Sequence, residues 1–455
     1  MATVHAGRPP APPTPGVGRH RFYIWTSGCQ MNKDDSERIA RALVAAGHVP
    51  VSHPDRASFV ILNGCSVRDN SDRKTFGRIG ALGARKRREP FLQVALTGCT
   101  VRATAAELAP HRPKLDLIFD NSRVEELLDH MASQPGPVVD DWEDFSPQDL
   151  PGFGSPTRYV TVIYGCSKRC TFCIVPFRRG GERSRPPEEI EDEMRTKAAE
   201  GAVEITLLGQ IVNRYGRDRA DGPDLAGLLR RLDRQAIVPR LRFLTAHPRH
   251  FDRSLAEAMA DCQTVLEEIN LPVQSGNDEV LRRMGRGYNR AWYLDMIAML
   301  RDTVPGVAIS TDVIVGFPGE TEDQFRSTLE LMEEVRFDVV HIAAFSPRIG
   351  TVADRWGDDI DPAVKLERLH RCESLQKDLA ESINADLVGS RQQVLIEQLQ
   401  PARAAGGGPR WMGRTRTNKL VFAPGKAPLA PSQIVDMDIT DATAWSLRGA
   451  PVTAV

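Results

Sequence analysis

The ten residues from Tyr164 to Cys173, YGCSKRCTFC, set three cysteines in the pattern C-x3-C-x2-C directly behind an apolar run, RYVTVIY. Three closely spaced thiolates on one loop suit an iron–sulfur cluster or zinc. Structural zinc takes four protein ligands, and no fourth Cys or His lies nearby in the sequence. Three ligands on a four-iron cube leave one iron open to a substrate or cofactor. The run before Cys166 reads as a strand, and five more follow: VEITLLG, LRFLTA, EINLPV, VAISTDVIVG and DVVHIAAFS. Helical patterns separate them, among them PPEEIEDEMRTKAAE, LAGLLRRLDRQ and TEDQFRSTLELMEEV. Six strand–helix units are too few for a closed eightfold barrel, so the pattern predicts an incomplete, open-sided one that admits a large substrate. A long helical stretch, about 362 to 388, closes this part.

The Gly-Cys pair that opens the cluster recurs upstream, in TSGCQMN at Cys29, NGCS at Cys65 and TGCT at Cys99. Each cysteine lies two or three residues past a strand-like run: RFYIWT, ASFVILN and FLQVALT, with LDLIFD continuing the scheme. Alternating strands and helices over residues 21 to 131 predict a parallel open sheet with helices on its faces. Such sheets bind ligands beyond the carboxyl ends of their strands, so Cys29, Cys65 and Cys99 are expected to meet at one edge. The preceding Gly lets the backbone turn sharply and approach closely. The remaining thiols, Cys262 in LAEAMADCQ and Cys372 in ERLHRCESL, read as small buried hydrophobes of helices.

At 455 residues the chain is long enough for two or three domains, and 41% hydrophobic with 26% charged residues is ordinary for a soluble globular protein. The formal net charge of −1 advertises no global basic field, so any nucleic-acid site must be a local patch. No apolar run reaches the length of a membrane span, and the N-terminal MATVHAGRPPAPPTPGVGRH lacks the apolar core of a secretory signal. It reads as a disordered Pro/Ala tail, residues 1–19. A cytoplasmic location with reduced cysteines is expected. QPGPVVDDWEDFSPQDLPGFGSPT, from 134 to 157, has no period and reads as a linker. From about 390, QQVLIEQLQ, WMGRTRTNKLVFAP and QIVDMDITDATAWSLRG alternate like strands, which predicts a small all-β barrel of the oligonucleotide-binding type. Residues 401–430 hold six basic residues (Arg403, Arg410, Arg414, Arg416, Lys419 and Lys426) and no acid; they form a solvated charge face or, as expected of a basic, aromatic-flanked strand on a small β-barrel, grip a nucleic-acid backbone. ARKRRE at 84–89 either extends that patch or caps a helix end. Arg178, Arg179, Arg183 and Arg185 follow the cysteine loop; they bind RNA phosphate, neutralise an anionic cluster and its cofactor, or are simply solvated.

GCSKRCTFC after a barrel strand resembles the radical S-adenosylmethionine superfamily, and within it the chain looks like the methylthiotransferases. The resemblance spans about residues 20 to 453 and rests on GCQMNKDDSERI, LNGCSVRDNSDRK, GCSKRCTFCIVPFRRGGERSRP, LLGQIVNRYG, LPVQSGND, DVIVGFPGETEDQF and GRTRTNKLVF. GCQMN and NGCSVR look most like the branch that makes 2-methylthio-N6-isopentenyladenosine beside the anticodon of tRNA. What the resemblance implies is an α/β chain of three domains. A methylthiotransferase N-terminal domain takes residues 20–136, a partial (β/α)6 radical core takes 156–384 after a linker at 137–155, and a small RNA-binding barrel of the TRAM type takes 385–453. It implies a [4Fe–4S] cluster on Cys166, Cys170 and Cys173 that chelates S-adenosylmethionine and, on reduction, yields a 5′-deoxyadenosyl radical. That radical takes hydrogen from carbon 2 of the adenine, a bond ordinary acid–base groups do not activate. It implies a second [4Fe–4S] cluster on Cys29, Cys65 and Cys99 that delivers sulfur, a second S-adenosylmethionine as methyl source, a low-potential donor of the flavodoxin or ferredoxin type, and iron–sulfur assembly carriers. The two clusters are expected to face each other.

By the same resemblance Gly209 and Gln210 in LLGQ, Gln274 and Ser275 in LPVQSG, and Gly316 and Gly319 in VGFPGE border the adenosylmethionine pocket, although each stretch also reads as an ordinary Gly-containing turn. Arg410, Arg414, Arg416 and Lys419 are the expected RNA contacts. The chain departs from the pattern at Asn270, where relatives usually carry His, and at Pro347 and Ile349, where Ala and Pro are more familiar. Relatives acting on a ribosomal-protein aspartate or on threonylcarbamoyladenosine would keep every cysteine; the first usually shows Pro-Lys after its first Gly-Cys. A non-catalytic zinc or RNA-binding protein is the alternative from another class.

Overall fold

The computed structural model describes residues 19–66, 69–103, 105–134, 150–402 and 408–452. The Pro/Ala tail before Arg19, most of the linker, and Arg403 lie outside the described residues. The chain forms two compact units. The first takes the residues up to Gly154 together with Gly165–Ser167 and Ile174–Gly181; the second takes Ser155–Tyr164, Lys168–Cys173 and Glu182 onward.

The first unit is built on five parallel strands: β1 (Arg21–Thr26), β2 (Val49–Pro50), β3 (Phe59–Gly64), β4 (Gln93–Gly98) and β5 (Leu117–Ile118), in the order β2-β1-β3-β4-β5. β3 is FVILNG and every residue of it is buried, as a strand covered on both faces must be. Its side chains alternate between two cores. Phe59 and Ile61 pack with Ile39 and Leu43 of helix Gln30–Ala45, while Val60 and Leu62 pack with Ile79 and Leu82 of helix Asp69–Lys86. The sheet is therefore wound on both sides, and the chain reverses direction across it between β1 and β3. The register aligns Thr26 with Asn63 and Asn63 with Thr97, so three strands end level. The crevice beyond such ends, at the reversal, is where open α/β sheets place ligands.

The second unit carries six parallel strands. β6 (Thr157–Thr161), β9 (Glu204–Leu208) and β10 (Arg240–Phe243) form one group, β11 (Glu268–Asn270), β12 (Ala308–Val315) and β13 (Val339–Ala344) the other. A parallel bridge between Leu241 and Val265, with the Leu266 amide donating to Leu241 O at 3.0 Å, joins the groups. A short antiparallel pair, β7 (Ile163–Tyr164) and β8 (Arg183–Ser184), stands beside them. The helices between the strands present stripes such as Leu225, Leu228, Leu229 and Leu232, which pack against Ile205, Leu207 and Leu241 in one continuous core. Asp224, Asp252, Asn277, Asn289 and Thr321 start their helices by accepting backbone N–H bonds, and Thr321 with Gln324 forms a reciprocal box.

After helix Pro362–Ala385 the chain closes a five-stranded barrel from β14 (Arg391–Gln400), β15 (Arg410–Thr415), β16 (Leu420–Pro424), β17 (Ile434–Thr443) and β18 (Ser446–Pro451). This barrel belongs to the second unit and sits on the amino-terminal rim of the six strands. Arg240 and Arg242, near the start of β10, donate to Arg414 O (3.2 Å) and Thr415 O (2.9 Å). Arg242 also bridges Glu204 and Glu268, the first residues of β9 and β11, at 2.8 and 3.3 Å.

Candidate metal centres

In the first unit, Cys29, Cys65 and Cys99 each follow a strand end, and the sequence around them explains how closely they gather. Cys29 caps helix Gln30–Ala45 with an extended backbone, so its sulfur stands at a helix amino end, where the dipole favours a thiolate. At Gly28, φ is +109° and a Cβ would lie 2.3 Å from Cys65 Cβ and 2.8 Å from its Sγ. Gly64 and Gly98 are equally confined: a Cβ would meet Thr100 Oγ1 at 2.4 Å and Asn63 Oδ1 at 2.3 Å. The repeated Gly-Cys pair is thus a steric requirement of three loops that touch one another.

Polar side chains fasten these loops. Asn32 donates to Ser27 O (2.8 Å) and Gly64 O (3.1 Å), and its Oδ1 lies 3.8 Å from Cys29 Sγ. Asn63 donates to Asn32 O (2.8 Å) and Ser36 Oγ (2.9 Å). The Arg179 guanidinium points at the thiols. Its Nε donates to Cys99 Sγ at 3.1 Å, one Nη donates to Asn32 Oδ1 at 2.5 Å, and the other lies 3.5 Å from Asp35 Oδ2. A hydrogen bond from Cys65 and the Arg179 cation pull the Cys99 thiol well below its ordinary range, whereas burial pushes Cys29 up.

Three sulfurs from three loops, polarised by a buried cation, make a donor set suited to a polynuclear iron–sulfur cluster. Among the described residues no group of three or more His, Cys, Asp or Glu side chains is gathered closely enough to hold a metal ion as it stands.

The C-x3-C-x2-C loop is shared between the units. Cys166 belongs to the first, where its amide donates to Gly180 O at 2.9 Å; a Cβ on Gly165, φ +70°, would stand 2.0 Å from Gly181 O. Cys170 and Cys173 belong to the second, where the Cys173 amide donates to Cys170 O and Thr171 anchors to Met284 O (3.1 Å) and Arg283 O (2.8 Å). Arg286, nearly fully buried, reaches Cys170 Sγ at 3.7 Å and is held by Pro272 O and Tyr288 Oη at 2.6 and 3.0 Å. Beyond the carboxyl end of β10, His247 accepts the Arg249 amide through Nδ1, so its proton is on Nε2, which is buried without a hydrogen-bond partner among the described residues. Burial and the neighbouring Arg286 and Lys168 charges push His247 down to about 2, so it stays neutral. The Arg286 cation and the His247 N–H fit an anionic cluster and a carboxylate-bearing cofactor.

The other expected site residues are placed as follows. Gly209 directly follows β9; a Cβ there would meet Ile163 Cγ2 at 2.4 Å, and its carbonyl accepts Thr245 Oγ1 at 2.6 Å. Gln210 follows it at the strand's carboxyl end. Gln274 holds a left-handed backbone, φ +75°, while bridging to Val313. Ser275 is fully buried; its Oγ accepts the Asn277 amide (3.2 Å) and touches Thr328 Oγ1 (3.4 Å). Gly316 packs against the Lys365 stem and Gly319 against Arg283. Asn270 is tied to Ser310 Oγ (3.2 Å) and Asp312 Oδ2 (3.3 Å).

Of the expected RNA contacts, Arg410 stacks over Phe422 with its guanidinium carbon 3.6 Å from the ring centre, and Arg414 faces Asn418 and Glu397. Arg416 forms a fork on Glu267, 2.7 and 2.8 Å, and Lys419 pairs with Asp338 at 2.6 Å; both hold the small barrel to the rim. Sequence reading did not single out Arg286, His247 or Asn32. The only signals were a cation among glycines in GRGY and a polar residue closing GCQMN.

Comparison with known proteins places these features in context. Residues 160–332 match the Radical SAM superfamily, residues 21–120 a family described as Uncharacterized protein family UPF0004, and residues 386–452 the TRAM domain. The chain is 42% identical to the tRNA-2-methylthio-N(6)-dimethylallyladenosine synthase of Chloroflexus aurantiacus over 95% of its length and 91% of that protein's. It is 39% identical to the proteins of the same name from Herpetosiphon aurantiacus and Moorella thermoacetica, over 95% of the chain and 97% and 98% of theirs. A solved structure of the radical S-adenosylmethionine methyltransferase TsrM from Kitasatospora setae, with cobalamin and a [4Fe-4S] cluster bound, shares the fold: TM-score 0.56 at 15% identity, covering 74% of this chain and 77% of that one.

Proposed function

Because the chain belongs to the family of tRNA-2-methylthio-N6-dimethylallyladenosine synthases, radical S-adenosylmethionine enzymes, we infer that it attaches a methylthio group to carbon 2 of N6-isopentenyladenosine beside the anticodon, at position 37 of tRNA. It is a transferase that uses S-adenosylmethionine and a [4Fe–4S] cluster, and its substrate is tRNA.

Several finer points are proposals. Cys166, Cys170 and Cys173 hold the cluster that binds S-adenosylmethionine, and Cys29, Cys65 and Cys99 hold a second [4Fe–4S] cluster. When bound, the first supplies the electron that splits the sulfonium and the second supplies sulfur. The observation that carries the second centre is the level ending of β1, β3 and β4, which gathers three Gly-Cys loops around the Arg179 cation. Around Cys170, Arg286 balances charge and His247 offers an N–H donor to the cofactor's carboxylate. Gly209, Gln210 and Gln274 border the cofactor at the carboxyl ends of their strands. The interactions of Ser275, Gly316 and Gly319 suit them to shaping the loops behind it. On the small barrel, Arg410 with Phe422, and Arg414, contact RNA; the ion pairs of Arg416 and Lys419 fit a docking role. Electrons come from a flavodoxin- or ferredoxin-type donor, iron and sulfur from assembly carriers, and the enzyme works in the cytoplasm. No helix among the described residues is long and apolar enough to cross a membrane.

Mass spectrometry of nucleosides from cells lacking this protein tests the reading. The expected result is loss of the methylthio group with the isopentenyl group retained. Loss of methylthio from a ribosomal protein or from threonylcarbamoyladenosine instead would overturn it.

A further inference from the structure

We propose that Arg179 is a positioning residue for the N-terminal cluster: held by Asn32 and Asp35, it donates its Nε–H to the Cys99 sulfur and raises that cluster's reduction potential. The inference rests on the proposed reading that Cys29, Cys65 and Cys99 hold a cluster.

Four observations carry it. First, Arg179 is in the first unit although the cysteine loop precedes it by only a few residues; segment Ile174–Gly181 folds with the N-terminal sheet. Second, its side chain is 7% exposed, so it is not a phosphate contact on the surface. Third, each nitrogen has its own task. Nε faces Cys99 Sγ at 3.1 Å, one Nη faces Asn32 Oδ1 at 2.5 Å, and the other faces Asp35 Oδ2 at 3.5 Å. A planar fork serves three differently placed acceptors at once, which a lysine does not. Fourth, the acceptors are themselves fixed. Asn32 is tied to Ser27 O and Gly64 O. Asp35, fully buried, also takes Arg38 at 3.2 Å and the Asn121 amide. The aim of the guanidinium is therefore imposed by the fold before any cluster is present.

A hydrogen bond and a positive charge at a ligating sulfur stabilise the more electron-rich cluster, and hydrogen bonds to sulfur are a principal control of iron–sulfur potentials. The neighbouring arginines do not share the role. Arg178 pairs with Glu107 at 3.3 Å, and Arg185, in the other unit, pairs with Glu193 at 2.6 Å.

The test is an EPR-monitored redox titration of the reconstituted full-length protein, wild type against Arg179→Gln and Arg179→Lys, with iron counted on the same samples. S-adenosylmethionine, added in parallel, marks the signal of the radical cluster. With the Gln variant the N-terminal signal should titrate lower, by a tenfold fall in its reduced-to-oxidised ratio at fixed potential, about 59 mV for one electron. The radical cluster should be unmoved and the Lys variant should fall between. If the Gln variant loses iron, the Lys variant is titrated in its place and its N-terminal signal should still lie below that of the wild type. An unmoved N-terminal potential at full iron content, or equal loss of iron from both variants, overturns the inference. A wild type that holds only one cluster instead overturns the reading beneath it.

Discussion

At Gly28 the fold tolerates no side chain at all. A methyl group there would drive into Cys65 while the backbone held a φ that other residues rarely adopt. Strained backbone and overpacking each cost about 1–3 kcal/mol, and both act on one of the three thiol loops. Gly28→Ala is therefore expected to lower the melting temperature and to remove iron from the N-terminal centre while sparing the other; a calorimetric scan with an iron assay checks this. The glycines were legible in the sequence because the same dipeptide appears four times. The residues that orient the thiols were not. In FRRGGERSRP four arginines look alike, and only packing separates Arg179, aimed at Cys99, from Arg178 on Glu107 and from Arg183, which stacks over Tyr164. Arg286 was hidden for the same reason: it meets Cys170 across more than a hundred residues.

At the scale of elements, the informative junction is the turn between β15 and β16. The basic run there reads as a nucleic-acid grip on a small barrel, yet two of its cations, Arg416 and Lys419, face acids on the six-stranded rim. Charge in a sequence does not say what opposes it, and Glu267 and Asp338 lie far away in the chain. Removing Arg242 would strand Glu268 without its cation and leave Glu204 with Arg240 alone, and burial already pushes the Glu268 carboxyl up. Arg242→Ala should cost about 3–5 kcal/mol, as breaking a buried pair does. Arg416→Ala, at a partly exposed pair, should cost about 1 kcal/mol or less; chemical denaturation distinguishes them. RNA binding separates the same elements. Arg410→Ala should weaken tRNA binding and reduce the slope of log affinity against log salt by about 1, whereas Arg416→Ala should leave the slope alone.

At the scale of the whole chain, the strand runs read from the sequence correspond to the six parallel strands of the second unit, and the alternating N-terminal pattern corresponds to a five-stranded sheet. Long, strongly apolar strands announce themselves. What periodicity does not convey is chain partition, and the division of one cysteine loop between two units has no trace in the residues around it. The two proposed centres give a stoichiometry that can be weighed. Anaerobically reconstituted protein should carry about eight irons, and Cys29→Ala about four, with adenosylmethionine cleavage retained.

The placement of the small barrel bears on how RNA is aimed. It is anchored on the rim where β9, β10 and β11 begin, through Arg240, Arg242 and Arg416. Any RNA that the barrel grips is therefore carried by the same body as the six strands, so a change in that seat would re-aim the RNA without altering a single contact to it.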